Sequence, residues 1–299
     1  MDGPRIGLDI GGTKVLIAAV WPGRTELHSA PTGRTAGPEV IERELRTFLT
    51  RLGARPSLIG VAVPGLVGSG GEVIASDVLP RLDGWSTASL GDLDGAGAGH
   101  RMEGQAGRVP VHALNDVDAG LLEEFWDLPA VPAIPAVLVL SGTGIGAALA
   151  IGGAPYRGAD GWAGELGSIP IQAAERTATL DELASGASLT ARLGIDGETL
   201  ACRAAAGDAE ALRAIAAAGA ALGLGLATVV NLLNPRLLVV GGGTVALPGY
   251  LAAALDSASR AAMPDPWRAC TVRESRRGKA LVALGAVRAA TLRQGEEPW

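Results

Sequence analysis

Two acids and two glycine turns in this chain could do chemistry together. Asn115-Asp116 ends the apolar run VPVHALND (Val109–Asp116), just ahead of a helix-like segment. The start of a helix favours a carboxylate in its ionised form, and strand ends of α/β sheets are where reactive groups gather. An ionised Asp held there suits removal of a sugar hydroxyl's proton during phosphoryl transfer. The competing reading is that Asn115 or Asp116 only caps the helix. The second acid, Asp9, interrupts the apolar strand Ile6–Ile10 immediately before a glycine turn. A buried carboxylate is costly unless something pairs with it. A magnesium ion bridging phosphates, directly or through water, would account for it; so would a turn-forming Asp bonded to the Gly11-Gly12 backbone.

The turns are IGLDIGGTKVLIAAV (Ile6–Val20) and VLVLSGTGIGAALAI (Val137–Ile151), each an apolar run, a Gly/Thr turn and a second apolar run. Gly11, Gly12 and Thr13, and Gly142, Thr143 and Gly144, offer backbone N–H groups unobstructed by large side chains, and such turns cradle anions. Their repetition suggests a duplicated domain holding one polyphosphate from two sides; two ordinary glycine hairpins is the alternative. Glu165 lies in GWAGELGS (Gly161–Ser168), where flanking glycines would let a carboxylate come close to two sugar hydroxyls; an exposed loop Glu reads equally well. Val239–Gly243 (VVGGG) leaves a strand. Gly241, Gly243 and Ala246 fit the loose G-x-G-x-x-A dinucleotide pattern, but Pro248-Gly249 cuts the expected helix and no acid-ending second strand is expected. A turn flat enough for an adenine fits better. No G-K-[ST] follows a glycine loop, so a Walker A loop is excluded.

Strands are expected at Arg5–Ile10, Lys14–Val20, near Glu26–Ala30, at Leu58–Val63 and at Val109–Leu114, with helices at Glu39–Leu52 and from Asn115 to about Phe125. Gly68–Ser89 reads as a loop-rich excursion. After a Pro-rich linker (Pro129–Pro135) the pattern restarts. Strands come at Ala136–Leu140, Gly146–Ile151 and near Ser168–Ile171, then helices at Leu180–Leu193, from Gly197 and at Asp208–Leu233. A strand at Arg236–Val240 and a helix at Leu281–Leu292 finish the chain. Strands and helices alternate in both halves, which makes this an α/β protein of two similar lobes.

The 299 residues suffice for two domains. With 48% hydrophobic and 19% charged residues, disorder is not expected. A net charge of −6 supplies no basic surface for nucleic acid. Cys202 and Cys270 have no metal-ligand pattern near them and read as buried free thiols of a reducing cytosol; without a leader-like segment, a cytoplasmic location is expected. Ala214–Leu233 is uncharged over about the length of a membrane span, but its Ala/Gly composition reads as a buried helix, so no membrane partner is expected.

Taken in order, LDIGGTK (Leu8–Lys14), VPG (Val63–Gly65), LNDVDAG (Leu114–Gly120), LSGTGIGAAL (Leu140–Leu149), G-x-AGELG (Gly161–Gly167), ASGASL (Ala184–Leu189), NPRLLVVGGG (Asn234–Gly243) and LGAV (Leu284–Val287) resemble the ROK family of repressors, open reading frames and sugar kinases. The resemblance implies two ribonuclease H-like, actin-like ATPase lobes with an interlobe cleft. These would be a small lobe of residues 1–114, completed by a C-terminal helix at about 280–293, and a large lobe of residues 115–279. It implies ATP and Mg²⁺, with Asp116 as general base. Asn115, Glu165, Ser168, Asp181 and Gly65 would face the sugar, Gly11, Gly12, Thr13, Lys14, Gly142 and Thr143 the phosphates, Gly241, Gly242 and Gly243 the adenosine, and Asp9 the metal. The chain departs from the family on the sugar side. Ser168 replaces the family's zinc-binding histidine, and Gln172–Glu182 (QAAERTATLDE) lacks its cysteines, so no structural zinc is expected; the acid ending that motif aligns with Asp181, beside Glu182. A hexose kinase acting at the 6-hydroxyl is expected, glucokinase-like or directed to an amino-sugar such as kanosamine in antibiotic biosynthesis. A polyphosphate-dependent glucokinase and a non-catalytic sugar-binding protein are the alternatives, and a homodimer is compatible with the family. A repressor is disfavoured, because the first strand begins by Ile6.

Overall fold

A computed structural model describes residues 3–93, 107–126, 135–173 and 176–295; residues 129–134 of the expected linker lie outside them. The chain divides into two compact units, Met1–Trp126 with Ala280–Trp299, and Asp127–Lys279.

In the first unit, β1 (Arg5–Ile10), β2 (Lys14–Trp21) and β3 (Arg24–Pro31) form an antiparallel meander, followed by α1 (Pro38–Leu52) and β4 (Leu58–Val63). The helix opens on Pro38 and stops at Gly53, whose left-handed φ of 61° releases the chain. Its Ile41, Leu45, Phe48 and Leu49 fall on one face and are buried. A small hairpin, β5 (Leu66–Val67) with β6 (Val73–Ala75), leads through two 3-10 turns to β7 (Val111–Asn115) and α2 (Asp116–Phe125). The sheet order is β3-β2-β1-β4-β7, with β1, β4 and β7 parallel. The Gly68–Ser89 excursion belongs to the core, since Val73, Leu79, Leu82 and Trp85 are buried beneath it. β7 begins two residues later than expected, beyond Pro110, which has no N–H to give a ladder.

The second unit repeats this plan. β8 (Ala136–Ser141), β9 (Ile145–Ile151) and β10 (Ala154–Tyr156) form the meander. A separate hairpin follows, β11 (Pro170–Ala173) with β12 (Arg176–Thr179), then α3 (Leu180–Ala184), α4 (Gly186–Leu193), α5 (Gly197–Ala205), α6 (Ala209–Leu233), β13 (Leu237–Gly241), α7 (Tyr250–Ala261), α8 (Pro264–Ala269) and β14 (Thr271–Glu274). The order β10-β9-β8-β13-β14, with β8, β13 and β14 parallel, matches that of the first sheet strand for strand. A shared order and polarity is the signature of the duplication that the paired turns suggested.

Four expectations are corrected. The third strand of the second meander is Ala154–Tyr156; the segment near Ser168–Ile171 instead starts the separate hairpin. The single helix expected at Leu180–Leu193 breaks at Ser185, whose hydroxyl accepts the Ser188 N–H at 3.1 Å and caps α4. A helix does follow the triple glycine, starting at Tyr250 beyond Pro248-Gly249, and β14 after it ends in Glu274. Finally, the first unit extends through α2, past the boundary expected at residue 114.

The longest helix, α6, has the length and composition of a membrane span, with 56% of its most apolar window buried. Ile215, Ala218, Leu222, Leu226 and Val230 face the core of the second unit. Gly219 and Gly223 let it cross α7 closely: a Cβ at Gly219 would overlap the Tyr250 carbonyl, and one at Gly223 would sit 2.6 Å from the Ser257 Cβ.

The last helix, α9 (Leu281–Arg293), returns to the first unit and packs on β1, β4, β7 and α2. Side chains are missing where it approaches. A Cβ at Gly7 or Gly60 would overlap the carbonyls of Ala283 or Ala286, and one at Gly285 would overlap that of Ala119. The guanidinium of Arg288 meets the carboxylate of Glu123 on α2 and lies 4.9 Å from the centre of the Trp126 ring.

Candidate functional site

In the first unit the chemistry-bearing turns sit at one edge of the sheet. Asp9 pairs in register with Ala62, and Val63 with Asn115. The glycine turn, the Pro64-Gly65 turn and Asn115-Asp116 therefore leave the carboxyl ends of three neighbouring parallel strands, spaced by about 4.8 Å each.

The first turn is braced from its own meander. The Gly11 N–H donates to the Lys14 carbonyl at 2.9 Å, closing the turn. The Thr32 hydroxyl donates to the Gly11 carbonyl at 2.6 Å, and the Thr32 N–H to that of Thr13 at 3.1 Å. Donors toward an anion must come from the residues after Gly11. Thr13 and Lys14 are exposed, as phosphate-facing groups need to be. Asp9, half-buried at the penultimate position of β1, has its pKa raised to about 6, chiefly by burial and with Lys14 opposing. Burial makes the charged form costly, and a cation beside it would offset that cost.

Asn115 is the N-cap of α2. Its Oδ1 accepts the N–H groups of Val117 at 2.9 Å and Asp118 at 3.2 Å, and its Nδ2 donates to the Gly65 carbonyl at 3.1 Å. The side chain thus caps the helix and ties it to the Pro-Gly turn, keeping one amide hydrogen for a ligand. Gly65 has φ 122°, and a Cβ there would overlap the Ala75 carbonyl, so this turn requires glycine. Asp116 opens the helix, half-buried, with Oδ1 accepting the Val117 N–H at 2.9 Å. A helix start favours negative charge at this position.

The second unit gathers its turns in the same way. The Gly142 N–H closes the second turn on the Gly144 carbonyl at 2.9 Å. The start of α4 braces it: Gly186 N–H donates to the Gly142 carbonyl at 2.8 Å and Ala187 N–H to that of Thr143 at 3.2 Å, while the Thr244 hydroxyl gives Gly142 a further bond at 3.0 Å. Gly242, with φ 103°, lies against the backbone of Ser141. The triple glycine and the second glycine turn are thus one assembly, at the ends of adjacent strands β13 and β8. No atom stands within 4 Å of where a Cβ would be at Gly142 or Gly243, so the backbone there faces open space. That arrangement fits a phosphate and a flat base. The glycines lead into a single 3-10 turn, and α7 starts only at Tyr250, which is unlike a dinucleotide fingerprint, where the helix begins at the glycines themselves.

Below the turn, fully buried Tyr250 donates its hydroxyl to the Ala184 carbonyl at 2.7 Å and meets Ser141 Oγ at 2.9 Å. Burial pushes the phenol up to about 12. Glu165 and Ser168 are exposed on a loop pinned to β9, where Ala147 N–H donates to the Gly164 carbonyl at 2.8 Å. Glu182 is engaged in a capping box, accepting the Thr179 N–H at 2.8 Å. Asp181 is half-buried and its Oδ1 accepts the Ile145 N–H at 2.7 Å; burial raises its pKa, with that bond opposing. Thr32, Thr244 and Tyr250 carry the two turns, and nothing in their sequence neighbourhoods marks them. Among the described residues no three or more His, Cys, Asp or Glu side chains group as metal ligands.

The family model described as "ROK family" matches residues 5–292. The chain is 30% identical over 276 residues, 88% of its length, to the bifunctional enzyme NanE/NanK of Brucella melitensis, and it spans about half the length of that relative (50%). It is 26% identical over 264 residues to an N-acetylmannosamine kinase of Escherichia coli O157:H7, covering 83% of this chain and 85% of that one. Among solved structures it superimposes on a ROK hexokinase from Thermus thermophilus with a TM-score of 0.70 at 27% identity, over 98% of this chain and 99% of the other. The two matching five-stranded sheets and this likeness give it the actin-like ATPase fold.

Proposed function

The chain belongs to the ROK family, and on that footing we propose that it is an ATP-dependent sugar kinase transferring the γ-phosphoryl group to the 6-hydroxyl of a hexose or amino-hexose. One observation carries the reading most: Asp116 sits at the first position of α2, one strand away from the Pro-Gly turn and two from a glycine turn. Asp116 accepts the hydroxyl's proton as the oxygen attacks phosphorus. Asn115 donates its remaining amide hydrogen to a ring hydroxyl, beside the turn at Gly65. Glu165, with Ser168 three residues on, receives further hydroxyls. The turns Gly11–Lys14 and Gly142–Thr143 hold phosphate oxygens, and Gly241–Gly243 border the adenosine. Asp9 would hold a magnesium ion, directly or through water, and that ion would supply charge neutralisation to the nucleotide's phosphates.

The Escherichia coli relative named as an N-acetylmannosamine kinase puts 2-acetamido sugars among the candidate acceptors. The carboxylate of Glu165 also suits a cationic amino-sugar. A panel of glucose, mannose, N-acetylmannosamine and amino-hexoses, each with ATP and with polyphosphate, tests the proposal. Turnover of at least one sugar with ATP supports it; no turnover on the whole panel overturns it, and turnover with polyphosphate alone overturns the choice of donor.

A further inference from the structure

We propose that Asp181 is a positioning residue for the second phosphate turn, and that it sets nucleotide affinity instead of binding the sugar. The inference rests on the kinase reading above. The carboxylate is enclosed on both sides. Oδ1 accepts the Ile145 N–H at 2.7 Å, the first amide after the Gly142–Gly144 turn. Oδ1 and Oδ2 lie 3.7 and 3.8 Å from where a Cβ of Gly144 would be, and Oδ2 lies 2.6 Å from where a Cβ of Gly167 would be. Gly167 belongs to the loop carrying Glu165 and Ser168, and a Cβ there would also overlap the Ile145 carbonyl. Asp181, Ile145 and Gly167 thus form a knot between the phosphate turn and the sugar-side loop.

The neighbouring acid is committed elsewhere, since Glu182 closes the capping box of α3 with Thr179. The helix that follows adds to the knot, because Gly186 and Ala187 donate to the carbonyls of Gly142 and Thr143. One short stretch, Asp181–Ala187, therefore holds the turn from its amide side and from its carbonyl side. A short acid at position 181 fits this role: from α3 it reaches the first backbone amide of β9 and is covered by the glycine at 167. Sugar selection then falls to Glu165, Ser168 and Asn115.

Two variants separate the roles. Asp181→Asn keeps an oxygen acceptor for the Ile145 amide, whereas Asp181→Ala removes it. ADP binding with magnesium, read by calorimetry, should weaken on the order of tenfold in Asp181→Ala, the loss of one charge-assisted bond to a backbone amide. It should stay within about threefold of wild type in Asp181→Asn. In turnover assays the Michaelis constant for ATP should follow the same pattern while that for the sugar moves little in either variant. A thermal melt confirms that both variants are folded. Unchanged ADP binding in Asp181→Ala, a rise in the sugar's Michaelis constant alone, or an Asn variant as impaired as the Ala variant overturns the proposal. If no sugar is turned over, the kinase reading fails, and the ADP titration still decides the role of Asp181.

Discussion

Replacing Arg288 with methionine removes the cation that faces Glu123 at the interface of α9 and α2. The Glu123 side chain is 1% exposed and that of Arg288 16%, so the pair is shielded from solvent and not a surface ion pair. Removing the cation from a shielded pair costs about 3–5 kcal/mol, because the carboxylate of Glu123 loses the charge that faces it. The contact of the guanidinium with Trp126 adds on the order of 1 kcal/mol. Urea unfolding at pH 7 should therefore place Arg288→Met about 4 kcal/mol below wild type. The double variant Glu123→Gln/Arg288→Met should recover about 2 kcal/mol or more of that loss, because the buried carboxylate is neutralised along with its cation. Glu123 lies about 10 Å along the helix from Asp116, so kcat should fall in the single variant and recover in the double. A single variant within about 1 kcal/mol of wild type, or a double variant no more stable than the single, would show that the pair does not hold α2.

Asp9→Asn should stabilise the protein in magnesium-free buffer. Burial raises this carboxyl from 3.8 to about 6, so the folded state disfavours the ion. The cost is absent below pH 3.8 and complete above pH 6, and the gain from Asn is at most about 3 kcal/mol at pH 8 and about half that at pH 5; urea unfolding that finds wild type the more stable at pH 8 refutes it. Gly285→Ala drives a Cβ into the Ala119 carbonyl and should lower Tm by roughly 5 °C or more; a melt unchanged within 1 °C or so would mean that α9 and α2 are less closely packed. Cys202 is exposed on α5, not buried as expected, so a thiol titration should find it reacting at once, and Cys270, buried and pushed up to about 11, reacting only on unfolding. Two equally fast thiols would contradict that burial.

The frame of both sheets was legible because parallel strands buried on both faces read as unbroken apolar runs. β1, β4 and β8 start where Arg5–Ile10, Leu58–Val63 and Ala136–Leu140 were read. The pieces that escaped are those whose pattern is local and weak. β10 is three residues with Pro155 at its centre, between the Gly152-Gly153 turn and a loop, and only its pairing with β9 makes it a strand. α7 follows Pro248-Gly249, which signals a stop, although Gly249 with φ 82° simply redirects the chain into a new helix. At the site, both readings of Asn115 hold at once: its side chain caps α2 and the same bonds place Asp116. The two turns were visible from their glycines. Their supports were not, because Thr32, Thr244 and Tyr250 reach them from 21, 102 and 109 residues away, and no local pattern encodes such a contact.

The most direct test is phosphoryl transfer by Asp116→Asn on whichever sugar the wild type uses. Asn keeps the size of the side chain and its bond to Val117 but cannot take a proton. kcat should fall by about 10²–10⁴-fold, while the affinity for ADP and magnesium, held by the glycine turns, stays within about twofold of wild type. A variant that keeps more than about a tenth of the wild-type kcat would contradict the assignment of Asp116 as general base.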